Sequence, residues 1–80
     1  MAKQRVKFTF PETQVKNPVI WQVGRDFDVV TNIRRADITA QVAWTILELE
    51  GESDEIQRAL RWVADQGVRV DPVEDSIIEG

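Results

Sequence analysis

Apolar and polar residues alternate in the first part of the chain, over residues 3–10. The alternating positions are Val6, Phe8 and Phe10 on one side and Arg5, Lys7 and Thr9 on the other. A period of two in β-branched and aromatic residues predicts a strand with one buried face. Pro11 ends this strand, because proline cannot donate a hydrogen bond to the ladder. Residues 12–16 are predicted to form a loop.

A helical pattern and a second strand pattern follow the loop. Asn17 is predicted to cap the helix and Pro18 to take its first position, where these residue types are favoured. The apolar stripe of this helix consists of Val19, Ile20, Val23 and Phe27. Residues 27–34 are rich in β-branched and aromatic side chains, which predicts a strand. The polar residues 34–37 are predicted to interrupt the strand before it resumes around Ile38.

The third predicted strand covers residues 41–50 and is apolar at both alternating sets of positions. One set contains Val42, Trp44 and Ile46, and the other contains Leu47 and Leu49. Such a strand is usually central in its sheet and covered on both faces. Gly51 is predicted to form a turn after it.

The second helix is predicted to begin at Ser53 as N-cap, with Asp54 and Glu55 in the first turn, where the helix dipole favours acidic groups. Its apolar stripe consists of Ile56, Ala59, Leu60 and Val63. Ion pairs one turn apart are expected on its outer surface, and they are Asp54 with Arg58 and Arg61 with Asp65. Gly67 is predicted to end the helix at the C′ position.

A last strand is predicted through Val68, Val70 and Val73, with Pro72 marking it as an edge strand. The order β-α-β-β-α-β predicts an α+β, ferredoxin-like sandwich, in which two helices cover one face of a four-stranded antiparallel sheet. We expect one domain over residues 1–80, with its core at about 4–74 and a frayed acidic tail at 75–80. The open face, or a strand edge, is expected to be covered in a homodimer.

The composition narrows the possible functions. The 80 residues include no cysteine and no histidine, which removes thiolate and imidazole chemistry and most zinc sites. We therefore expect no enzyme activity, no metal and no cofactor. The formal net charge of −4 argues against nucleic-acid binding by bulk charge. No apolar run approaches the ~20 residues of a membrane span, and the lack of cysteine is typical of a cytoplasmic protein.

The charges and the aromatic residues give weaker signals. Residues 1–40 hold seven basic and four acidic residues, a net +3, whereas residues 41–80 hold three and ten, a net −7. This asymmetry could orient a partner protein. The aromatic residues Phe8 and Phe10 share one face with Val6, which favours a core role over base stacking. Trp21 is expected to cover a helix flank and Trp44 to lie in the core or an interface. Trp62 is expected to be partly exposed or to form a cation–π contact with Arg58.

Two segments carry a resemblance to a known family. The first is Phe27–Ile33, of the form F-x-V-x-x-N-I, and the second runs from Gly51 through 59–63 to 66–70. Together they resemble the NIL domain, which is named for an Asn-Ile-Leu strand motif. That domain is the C-terminal regulatory module of the ATPase subunit of methionine ABC importers, and it also occurs beside ferredoxin-type iron–sulfur domains. The resemblance implies a ferredoxin-like fold, pairing of two copies and binding of methionine near their interface.

The resemblance also implies a site on the second strand. The motif residues fall on Asn32 and Ile33, and Val30 and Arg34 lie beside them as further ligand-binding candidates. Arg34 stands where the motif has leucine. The Asn32 amide offers donors and an acceptor to the α-groups of an amino acid; alternatively, it is an ordinary strand residue satisfied by backbone groups. Arg34 can pair with a carboxylate or simply lie in solvent at a hairpin end.

These observations support two hypotheses. The first is a non-catalytic regulatory module that senses a sulfur-containing amino acid such as methionine. The second is an interaction adaptor without a small ligand, which docks on a separate ferredoxin-type, transporter or sulfur-assimilation protein.

Overall fold

Four strands and two helices follow one another in the predicted order in the computed structural model, which describes residues 2–12, 18–39 and 43–73. The elements are β1 (Ala2–Phe10), α1 (Val19–Asp26), β2 (Val29–Ile38), β3 (Ala43–Gly51), α2 (Ser53–Asp65) and β4 (Arg69–Pro72). The sheet order is β2-β3-β1-β4, and every neighbouring pair is antiparallel. The predicted ferredoxin-like α+β fold is confirmed. In the part of the chain that the structure describes, neither helix is long and apolar enough to span a membrane.

One face of the sheet packs against both helices and forms the core. Alternate residues of β1 and β3 are buried on this face, as the period of two predicted. The largest fully buried side chains come from both central strands and both helices: Val6, Phe8, Val19, Val23, Leu47, Leu49, Ile56 and Val63. Because Phe8 and Phe10 lie in this core, they form no aromatic platform on the open face.

The open face of the sheet is partly covered by its own charged side chains. Trp44 and Ile46 lie there half-buried. The Lys7 ammonium nitrogen lies 5.2 Å from the centre of the Trp44 ring, and Arg5 pairs with Glu48 across the strands at 3.5 Å. Aliphatic stems of basic residues can cover apolar surface while their charges stay in water. The second apolar set of β3 is thus accommodated in part without a partner chain.

The predicted interruption of the second strand is wrong. β2 starts at Val29 instead of residue 27 and continues through residues 34–37 to Ile38. Its register against β3 shifts between Ile33 and Arg35, which marks a β-bulge at Arg34. A bulge absorbs one extra residue without ending the ladder. The polar segment therefore stays paired with β3 along its length.

The ends of the helices differ from prediction by one residue. Pro18 is the N-cap of α1 instead of its first helical residue, and Glu52 replaces Ser53 as the N-cap of α2. Gly67 is confirmed after the helix, with φ of +88°, which glycine adopts without strain. Asn17, Val42, most of the loop at 12–16 and the tail at 75–80 lie outside the described residues.

The ion pairs on α2 also differ from prediction. Arg58 pairs with Glu55, not with Asp54. Within the described ranges no ion pair joins Arg61 to Asp65. The Glu55 carboxylate also accepts a hydrogen bond from a backbone amide outside the helix, that of Asp28.

The connection between α1 and β2 is fixed at Asp28 from two sides. The Asp28 amide donates to the Glu55 carboxylate at 2.9 Å. A Cβ placed on Gly51 would lie only 2.8 Å from the Asp28 carbonyl oxygen. Gly51 was predicted to form a turn, but it is the buried last residue of β3, opposite Val29. Its hydrogen side chain allows the two backbones to approach.

We expect Gly51→Ala to destabilise the fold by about 1–3 kcal/mol, the usual cost of forcing extra atoms into a packed site. The reason is the 2.8 Å approach to a backbone oxygen, which cannot rotate away as a side chain can. Gly24→Ala is the matched control, since its Cβ would lie 4.0 Å from the nearest side-chain atom and alanine is the better helix former. Urea denaturation of both variants measures the difference, and equal midpoints would contradict the argument.

The hydrogen bond from the Asp28 amide lowers the pKa of Glu55, and Arg58 lowers it further. A carboxyl whose pKa is depressed by folding stabilises the protein above its unfolded pKa of about 4.3, and this stability is lost as the pH falls through the folded pKa. We therefore expect Glu55→Gln to lower the denaturation midpoint at pH 7 and to match the parent chain at acidic pH. Asp54→Asn, one residue away, is the control. A pH-independent difference between Glu55→Gln and the parent would contradict this assignment.

Candidate functional site

A groove runs between helix α1 and the edge strand β2 on the helix-covered face of the sheet. Its deeper end is a cavity of about 160 Å³. Its shallower end adjoins this cavity, and the two share Ile20 and Trp21. Along its length the lining is mostly apolar, and includes Phe10, Val19, Ile20, Trp21, Gly24, Thr31, Ile33, Ile38 and Ala43. We call this feature the α1–β2 groove.

Gly24 keeps the middle of the groove open. It faces β2 from the helix, and a Cβ there would have Thr31 Oγ1 as its nearest neighbour, at 4.0 Å. Since glycine has no side chain, nothing from this turn of α1 fills the space above Thr31. A glycine that weakens the helix (by about 1 kcal/mol relative to alanine) thus shapes the cavity.

The rim of the α1–β2 groove exposes large apolar side chains. Trp21 is 60% exposed, Ile33 59% and Ile38 67%. Both isoleucines lie on the helix side, because their partners across β3 are the buried residues Leu47 and Ala43. A rim of this kind is typical of a surface that contacts a ligand or another chain.

One ion pair lies at the mouth of the α1–β2 groove. Arg25 donates two hydrogen bonds to Asp26, at 2.7 and 2.9 Å. These bonds lower the pKa of Asp26 and raise that of Arg25. The Arg25 guanidinium also lies 4.5 Å from the centre of the Trp21 ring, which is a cation–π contact. The groove therefore combines an apolar floor with a charged end.

The structure divides the four ligand-binding residues predicted on β2 between two faces. Val30 and Asn32 lie opposite Glu50 and Glu48, on the open face. Ile33 lies on the other face and lines the α1–β2 groove. Arg34 is the bulge residue, and all four are exposed. Because β2 is an edge strand, a molecule lying against its outer edge can contact side chains from both faces.

The Asn32 side chain is exposed on the outer strand of the sheet. No hydrogen bond to its side-chain amide is found among the described residues. The amide offers two donors and an acceptor at the outer edge of the sheet. Across the described ranges no three acidic residues cluster so as to hold a metal ion.

Sequence reasoning missed Trp21, Gly24 and Ile38 as parts of a site. Ile38 was assigned to a resumed strand, and Gly24 was seen only as a weak point in a helix. Trp62 is half-buried, which confirms the predicted partial exposure, whereas the cation–π contact of Arg58 is with Phe27 instead of Trp62. Trp62 packs on Phe27, with ring centres 6.0 Å apart, and Arg58 lies over Phe27 at 5.7 Å. Phe27 contacts these side chains because it follows the last residue of α1 in extended conformation.

Comparison with known proteins agrees with this fold. A crystal structure of the C-terminal domain of an ABC transporter ATP-binding protein from Enterococcus faecalis superposes with a TM-score of 0.79 at 20% sequence identity. The alignment covers 90% of this chain and 84% of that domain. At this identity the likeness establishes the shared fold. No curated protein matches the chain.

The sequence itself gives the more specific result. The family model of the NIL domain matches residues 4–72, which includes every strand and helix except the first two residues of β1. The matched region contains Asn32 and Ile33 on β2 and the whole of α2. The chain therefore belongs to the NIL domain family.

Proposed function

We propose that the chain is a non-catalytic regulatory module that senses a sulfur-containing amino acid such as methionine. The observation that carries this proposal is the α1–β2 groove, which opens beside the Asn-Ile strand motif of a NIL domain family member. The structural neighbour from an ABC transporter ATP-binding protein supports the same class of role.

The groove suits the side chain of methionine. That side chain is unbranched, flexible and apolar, and its thioether packs favourably against aromatic rings. The deeper cavity, of about 160 Å³, has Trp21 on its rim and Phe10 in its lining. A small ligand site of this type needs a mostly apolar lining and a few placed polar groups.

The polar groups of the amino acid would be held at the strand edge. The Asn32 amide can donate to the α-carboxylate or accept from the α-ammonium group. The Arg34 guanidinium, placed outward by the bulge, can pair with the carboxylate. Ile33 would cover the first carbons of the ligand side chain, with Val30 beside the backbone on the other face. In this proposal, each of the four residues predicted to bind the ligand contacts it at the outer edge of β2.

The proposed module works as a pair of copies in the cytoplasm and passes its signal to a separate chain, such as a transporter or ferredoxin-type protein. A second candidate function is an adaptor that docks on such a protein without any small ligand. The exposed apolar rim on Trp21, Ile33 and Ile38 favours this candidate, because protein interfaces also use such surfaces. The two functions differ in whether methionine binds.

Amide NMR titration with L-methionine tests the proposal. We expect shifts concentrated in residues 30–34 and at the Trp21 indole, and loss of most of the affinity in Asn32→Ala. Gln57→Ala is the matched control, because it removes an exposed amide from α2, a helix that contributes no residue to the lining of the groove. Unchanged spectra with millimolar methionine, cysteine and homocysteine would leave the adaptor as the better account.

A groove-filling variant tests where the ligand side chain lies. Gly24→Leu places four carbons above Thr31, and we expect it to weaken methionine binding at least tenfold. Gly24→Ala should retain binding, since its single carbon would still be 4.0 Å from Thr31 Oγ1. Isothermal calorimetry on both variants gives the comparison. Equal affinities would place the ligand outside the α1–β2 groove.

A further inference from the structure

We propose that Thr45 makes the deeper cavity of the α1–β2 groove selective for an amino acid whose sulfur carries an oxygen, that is, a sulfoxide such as methionine sulfoxide. This inference rests on the proposed function, which places the ligand side chain in the groove, and it names the group at the far end of that side chain. Three features of the cavity carry it: a buried hydroxyl, the backbone donors of the first turn of α1, and the cavity volume.

Thr45 is a polar residue in an apolar core. It lies on β3 opposite Phe8 and Ala36, on the helix-covered face of the sheet, and it lines the deeper cavity. Its exposed fraction is 2%, and among the described residues it is the one buried residue with a polar side chain. Valine has nearly the same shape and would bury no polar atom here. Threonine therefore adds a single hydroxyl group to this part of the core.

The Thr45 hydroxyl is available to a molecule in the cavity. No hydrogen bond from it is found among the described residues. In the same ranges, complete burial without a partner occurs for one side-chain atom, the Arg5 Nε, and not for the Thr45 oxygen. The oxygen therefore keeps a small accessible surface, which lies in the cavity that Thr45 lines. An acceptor on a ligand would pair with this hydroxyl, whereas an apolar group would leave it unpaired at a cost in free energy.

The first turn of α1 adds donors beside the same cavity. Four consecutive residues of the lining belong to it or to its N-cap, and they are Pro18, Val19, Ile20 and Trp21. Their amides precede the first bond of the helix, which Gln22 donates to the Pro18 carbonyl. Pro18 makes no side-chain cap, and the first turn holds no acidic residue. These backbone groups can only donate, so they also favour an acceptor on the ligand.

A sulfoxide oxygen is the acceptor that fits the cavity. Oxidation of a thioether makes a flexible apolar side chain polar without adding a net charge. A carboxylate would bring a charge, and no charged side chain is among the described residues that line the deeper cavity. The volume of about 160 Å³ is close to that of a cavity of about 150 Å³ that holds benzene. The methionine side chain and one further oxygen therefore have room.

Thr45 also selects between the two epimers of a sulfoxide. The sulfur of a sulfoxide is chiral, so its oxygen points in a different direction in each epimer. The Thr45 backbone is paired on both sides, with Phe8 and with Ala36. Because it lies inside the sheet, its hydroxyl cannot shift to follow the other epimer. A preference for one epimer is thus the signature of this site, since general apolar binding would give none.

Calorimetry with L-methionine and with each epimer of L-methionine sulfoxide tests the inference. We expect the parent chain to bind one epimer about tenfold more tightly than the other epimer and than methionine, as one hydrogen bond to a buried hydroxyl supplies. Thr45→Val should remove most of this preference and leave methionine affinity within about threefold. Thr45→Ser keeps a hydroxyl and should retain the preference. Thr9→Val is the matched control, since it removes a threonine hydroxyl on the open face, opposite Trp44.

The outcomes separate this inference from the proposed function. Methionine binding without a preference for one sulfoxide epimer overturns the inference alone, and so does a preference that Thr45→Val leaves unchanged. Equal losses of methionine and sulfoxide affinity in Thr45→Val also overturn it, because Thr45 would then contact the α-groups that these ligands share. Absence of heat with all three ligands overturns the inference together with methionine sensing.

Discussion

The close approach of Gly51 to Asp28 determines how β2 joins the rest of the sheet. A Cβ at residue 51 would be 2.8 Å from the Asp28 carbonyl oxygen. The Asp28 amide donates a hydrogen bond to the Glu55 carboxylate. These two contacts set the first pair of the ladder, Val29 opposite Gly51. The side chains of β2 up to Ile33 take their faces from that starting pair, because strand residues alternate. The position of the candidate site on β2 therefore depends on two groups that lie outside the site, Gly51 and the Glu55 carboxylate.

The bulge at Arg34 then divides β2 into two parts with different roles. Ile33 and Ile38 are five residues apart, so simple alternation would place them on opposite faces. Since the register shifts between Ile33 and Arg35, both lie on the helix side, opposite Leu47 and Ala43. The same shift sends Arg35 and Asp37 to the open face. One extra residue thus creates both the apolar rim of the groove and the charge pattern at the edge.

The fold could be predicted from the sequence because the elements that form the core have strong periodic patterns of apolar residues. The alternation in β1 and the apolar stripe of α2 specify buried faces without reference to any other element. The α1–β2 groove could not be predicted in the same way. The groove depends on the bulge at Arg34 and on the space opposite Gly24. The bulge lies in the polar residues 34–37, whose pattern predicts an interruption of the strand. The faces of Val30, Asn32 and Ile33 follow from alternation once the start of β2 is known, but that start is fixed by Gly51 and Glu55.

In the proposed function, the ligand would lie against residues 30–34 of an edge strand whose side chains alternate between two faces. Ile33 lines the α1–β2 groove, whereas Asn32 lies on the open face. The apolar side chain of the ligand and its polar α-groups would therefore be held from opposite faces of one strand. An arginine in place of the motif leucine adds a charge that can pair with the ligand carboxylate. Because the proposed module also works as a pair of copies, linkage requires any effect of methionine on pairing to be reciprocal: methionine would change the dimer constant by the factor by which pairing changes methionine affinity.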